Sequence, residues 1–104
     1  MDLEYLSSHI CEELDGAEDY IMKAIELKPM ATQWAKSFLD MANAEMVHAN
    51  NLYKMYIEYY QKISANMTEL PIHITKDYEK TVKRYTSKSA LIKGMIDMFM
   101  KGGI

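Results

Sequence analysis

A proline with a long heptad-patterned segment on either side restricts this chain to few shapes. Before it, Leu3, Leu6, Ile10, Glu13, Ala17, Tyr20, Ala24 and Leu27 follow one another at alternating steps of three and four. Flanking Leu14, Ile21 and Ile25 widen that stripe to the breadth of a bundle helix. After Lys28-Pro29 the spacing resumes with Trp34, Phe38, Met41, Glu45, His48, Leu52, Met55 and Tyr59, the pattern of a face buried against other helices. Proline removes a helix donor and turns the preceding residue away from helical geometry. A helix over about 2–27 and a second over about 31–65 are therefore expected, and so short a connection makes them antiparallel neighbours.

The second helix outruns the first, and its extra length carries Tyr56, Tyr59, Tyr60 and Ile63, an aromatic end that needs another partner. Residues 66–74, with Pro71, read as a loop in which His73 is a surface histidine. A third helix over about 75–100 repeats the seam as Tyr78, Val82, Tyr85, Ser89, Ile92, Ile96 and Phe99. It is expected to cover the aromatic end or to dock on another subunit. Lys101-Gly102-Gly103 stops it. With 104 residues, four Gly, two Pro and 49% apolar side chains, the reading is a single all-α domain over 1–104.

Three polar residues interrupt the first two seams. Glu45 and His48 sit at i and i+3 on one face, flanked along it by apolar residues, and burying a carboxylate and an imidazole there is costly unless something compensates them. Glu13 interrupts the first seam. It lies sixteen residues before Pro29, and Glu45 lies sixteen after it. In an antiparallel hairpin both carboxylates then stand at one height, roughly 24 Å from the turn. Two acids and one histidine converging in one layer form a candidate metal site. Taken alone, Glu-x-x-His is also an ordinary surface pair.

One chain supplies too few ligands for a closed structural zinc site. Two chains related by a two-fold axis supply four carboxylates and two imidazoles, the ligand set of the di-iron carboxylate bundles. Two copies of the hairpin also make four helices, so ligand count and bundle closure ask for the same homodimer.

Elsewhere the residues have plainer readings. Glu12, Asp15, Glu18 and Asp19 fall on other faces and read as solvated charges. Gly16 costs its helix up to ~1 kcal/mol relative to Ala; it reads as a tolerated surface glycine or as a point of close helix approach. The ten methionines read mostly as core filling, although Met95, Met98 and Met100 also suit a docking peptide for an enclosing shell protein. Residues 1–50 carry ten acidic and three basic side chains, whereas 51–104 carry five and nine. The acidic half raises the local cation concentration; the basic cluster Lys80, Lys83, Arg84, Lys88 and Lys93 reads as a solvated face or a contact for an acidic partner. Nucleic-acid binding has no motif behind it, and the pI is 5.6. The single Cys11 excludes an intrachain disulfide, no apolar run reaches the ~18 residues of a membrane span, and a soluble, cytoplasmic protein is expected.

On Glu13-Leu-Asp-Gly-Ala-Glu-Asp-Tyr20 and Ala44-Glu45-Met-Val-His48-Ala49 the chain resembles the ferritin-like superfamily, in particular its short members, the rubrerythrin-type domains and encapsulated ferritins. The resemblance covers about residues 10–55. It implies that Glu13, Glu45 and His48 are iron ligands, with Glu45 bridging two irons and His48 terminal on one. It implies that Tyr20 lies close by as a hydrogen-bond donor or redox partner. It further implies a di-iron ferroxidase that oxidises Fe(II) with dioxygen or peroxide in an even-numbered homo-oligomer, at least a dimer, with a ring and an encapsulating shell protein left open. Without a Cys-x-x-Cys pair, a self-contained rubrerythrin peroxidase is not expected. Three classes of function fit these residues: a ferroxidase, a non-catalytic metal-binding or structural cargo or virion-type protein, and a metal-free helical interaction module.

Overall fold

Asp2 is extended, and its side chain accepts the Tyr5 N–H at 2.8 Å, which starts the first helix with a side-chain cap. The computed structural model describes residues 2–102 as three helices: α1 (Leu3–Leu27), α2 (Thr32–Ala65) and α3 (Ile72–Met100). The described residues contain no strand. At the first turn the Ala31 N–H bonds the Leu27 carbonyl at 2.8 Å, and α2 departs antiparallel to α1 as the spacing requires.

The core begins with small residues. Ala17 and Ala24 on α1 and Ala35, Ala42 and Ala49 on α2 are all fully buried. Short side chains let the two helices approach closely, and Leu6, Ile10, Leu14 and Ile21 fill the space beside them. The α1 stripe matches the sequence expectation. The α2 stripe does not: its buried residues are Ala35, Leu39, Ala42, Met46, Ala49 and Tyr56. Of the expected seam, Phe38 and Leu52 pack in part against the core, while Trp34, Met41, Met55 and Tyr59 lie beside that line and are exposed. An alanine line and a longer-chained line run side by side on α2, and the alanines face inward because they permit the closer approach.

α3 lies alongside α1 in the same direction, pairing Ser7 with Asp77, Glu18 with Lys88, and Lys28 with Phe99. It also covers the aromatic end of α2. Tyr53 stacks on Tyr85 with ring centroids 3.9 Å apart, and Tyr60 on Tyr78 at 3.8 Å. Tyr56 is fully buried beneath them and donates its hydroxyl hydrogen bond to Asp77, which also accepts from Ser7 at 3.3 Å. Burial, then the Asp77 carboxylate, push the Tyr56 phenol far above its ordinary pKa.

Two expectations are corrected here. α3 begins at Ile72, so His73 lies in its first turn, exposed, and not in a loop. Pro71 has the fixed φ that feeds directly into a helix, and Ile74 packs inward against the core. Asp15 and Glu18 are not free charges: Lys88 reaches Glu18 at 2.9 Å and Asp15 at 3.3 Å, and Arg84 reaches Asp15 at 3.7 Å. At the far end Gly102 adopts φ +70, the left-handed stop expected there. The Gly103 that the sequence adds to this stop lies outside the described residues.

Candidate metal centre

Glu13 projects from the middle of α1; Glu45 and His48 project from adjoining turns of α2. The antiparallel turn brings all three to one level. His48 Nδ1 lies 3.4 Å from Glu13 Oε2 and 3.5 Å from Glu45 Oε1. One ligand atom from each residue falls within 4.8 Å of the other two. Among the described residues no other group of three or more His, Cys, Asp or Glu side chains meets in this way. The equal count about Pro29 thus places the two acids correctly.

The cluster sits at the edge of the helix pair. The Glu13 and Glu45 side chains retain 24% and 25% of their accessible surface, and the His48 ring retains 56%. Both carboxylates are therefore mostly covered, while the imidazole closes the site from the outside.

The arrangement is electrostatically incomplete. Glu13 Oε2 is buried and accepts no hydrogen bond, because His48 stands at ion-pair distance without hydrogen-bond geometry. An unsatisfied buried acceptor costs about 1–3 kcal/mol, and more when charged. The Glu45 carboxyl is held above the ordinary carboxylate pKa, first by the facing Glu13 carboxyl, with which it would share a proton, then by burial and by the Glu13 charge; His48 acts in the opposite direction. Two carboxylates this close resist ionising together, and a bound cation removes that conflict. The donors are hard oxygens and a borderline nitrogen, suited to iron as Fe(II) and Fe(III). The residues present fit an iron site.

Tyr20 is not hydrogen-bonded to the cluster. Its ring packs on Phe38 at 6.0 Å between centroids, and among the described residues its hydroxyl makes no hydrogen bond to Glu13 or Glu45. Gly16 is a site residue that sequence reasoning left undecided: a Cβ built on it would stand 2.9 Å from Glu45 Oε2.

On its open side the cluster is continuous with the exposed apolar line of α2. Trp34 and Met41 lie toward the turn, Met55 and Tyr59 toward the aromatic end, and Trp34 is 68% exposed. No helix of the described chain is long and apolar enough to cross a membrane.

No match was found among curated proteins or among solved structures. A family model for rubrerythrin, however, matches residues 4–100 and so takes in all three helices almost from end to end. The all-helical architecture agrees with that match. The chain belongs to the rubrerythrin family of the ferritin-like superfamily, a family of di-iron-type metal-binding domains.

Proposed function

We propose that this protein is a ferroxidase, oxidising Fe(II) with dioxygen or peroxide at a di-iron site shared between two copies of the chain. The observation that carries this reading is the convergence of Glu13, Glu45 and His48 around a buried carboxylate oxygen with no partner. Iron held there would supply one electron per ion to the oxidant. Glu13 and Glu45 would hold it through carboxylate oxygens, and His48 through Nδ1, the nitrogen that faces both acids. The Glu13 carboxylate raises the Glu45 pKa, so metal and proton compete for that carboxyl. The acidic first half of the sequence draws Fe(II) toward the site.

The shared site rests on two arguments. Three ligands from one chain leave a metal open, whereas two copies bring four carboxylates and two imidazoles. The exposed line of Trp34, Met41, Met55 and Tyr59 runs through the cluster, and a two-fold mate laid along it would cover apolar surface and ligands together. In a reducing cytoplasm Fe(II) is available and Cys11 stays a thiol. Mineral storage would need an enclosing shell, built by further copies or by a second protein.

Oxygen uptake on addition of Fe(II) to the full chain tests the reading, with Glu45→Ala as the comparison. Uptake by the parent that is lost in the variant supports it. Stoichiometric metal without turnover would assign the protein a metal-binding structural role. No metal uptake near neutral pH would make it a helical interaction module.

A further inference from the structure

Gly16 occupies the middle of α1, where glycine is a poor choice for a helix. It is three residues from Glu13 and therefore lies on the same helix face. Across from it the Glu45 side chain leaves α2 and lies over the α1 backbone. A Cβ at position 16 would meet Glu45 Oε2 at 2.9 Å, Cδ at 3.7 Å and Cγ at 3.8 Å. All three nearest atoms belong to that one carboxylate arm, and none to the α2 backbone. The opposite oxygen, Oε1, is the one that faces His48.

We propose that Gly16 is a positioning residue for the metal site: its missing side chain is the gap that lets the Glu45 carboxylate lie against α1, level with Glu13 and His48. The inference rests on the metal-site reading above and deepens it. Ordinary helix packing does not account for the glycine, because no backbone atom of a neighbouring helix comes nearer than the 3.8 Å of Glu45 Cγ, and the one contact that forces a shift is the tip of a flexible side chain. Moving that tip costs the fold little, but it displaces a ligand oxygen. Gly94 supplies the internal control, since a Cβ there meets nothing within 4 Å.

The test is a Co(II) titration of the full chain under anaerobic conditions, together with thermal unfolding of the metal-free protein. Gly16→Ala is expected to bind Co(II) at least tenfold more weakly than the parent. Its melting temperature should stay level or rise, by up to roughly 8 °C, as helix propensity improves. Gly94→Ala should show a similar gain in melting temperature and parental Co(II) affinity. Parental affinity in Gly16→Ala would overturn the proposal. So would a clear fall in its melting temperature, which would make the glycine a packing requirement, or an equal loss of affinity in Gly94→Ala. Failure of the parent itself to bind Co(II) would instead bring down the metal-site reading, and this inference with it.

Discussion

Glu13 of α1 and His48 of α2 face each other across the helix pair, with Oε2 and Nδ1 3.4 Å apart, yet that oxygen accepts no hydrogen bond. A buried acceptor in this position is poorly served by the protein alone and well served by a cation. Substituting Glu13 or His48 with Ala should therefore abolish iron oxidation and lower metal affinity by at least tenfold, since even the supporting partners of metal ligands are worth 10–100-fold. Helicity by circular dichroism should remain near that of the parent, because neither side chain belongs to the buried core. Oxidation at the parental rate in either variant would remove that residue from the site.

The Glu45 carboxyl is pushed up by Glu13, so the metal-free native state gives up that proton at higher pH than the unfolded chain does. Native protein thus binds more protons than unfolded protein just above the ordinary glutamate value of 4.5, and its stability falls as pH rises through that window. Glu45→Gln removes the repulsion and should melt above the metal-free parent at pH 7, by an amount on the order of 1 kcal/mol or less. The difference should vanish at pH 4. Metal binding runs the other way: it expels the proton, and its affinity should rise with pH above the same window. Differential scanning calorimetry across pH checks the first trend, and Co(II) titration the second.

Tyr56 and Asp77 hold the far end of the molecule. The phenol is fully buried and donates to a carboxylate that α3 brings over the aromatic end of α2. Tyr56→Phe keeps the ring and deletes the hydrogen bond to a charged group, at a cost of about 1.5–3 kcal/mol. Urea denaturation should register that loss while the metal affinity of the folded variant stays parental. A neutral result would mean that Ser7 alone satisfies Asp77.

A charge placed on the exposed α2 line should separate copies without unfolding them. Met55→Glu and Trp34→Glu are expected to shift the protein toward monomer in analytical ultracentrifugation, to keep its helicity, and to lose iron binding together with assembly. Monomers that bind iron as the parent does would show that one chain suffices.

Much of this was legible in the sequence, for identifiable reasons. The α1 stripe has one apolar line, so its phase was unambiguous. Pro29 fixed a turn, and equal counts on either side set Glu13 level with Glu45 whatever the details of packing. The phase of α2 was harder. Its seam through Trp34 and Tyr59 is the more hydrophobic line, but the shorter Ala35, Ala42 and Ala49 face inward, because close approach of two helices favours small side chains. Which partner a charge meets also escaped the pattern: Asp15 and Glu18 look solvated on α1 and are claimed by Arg84 and Lys88 only once α3 docks. Gly16 was ambiguous for the same reason, since its meaning lies in a side chain on another helix.

Native mass spectrometry after anaerobic loading with Fe(II) tests the central claim most directly. The account expects a dimer that carries two irons, and an iron-free species when Glu13→Ala is treated identically. Iron retained in full by Glu13→Ala, or a parent chain that takes up none, would contradict it.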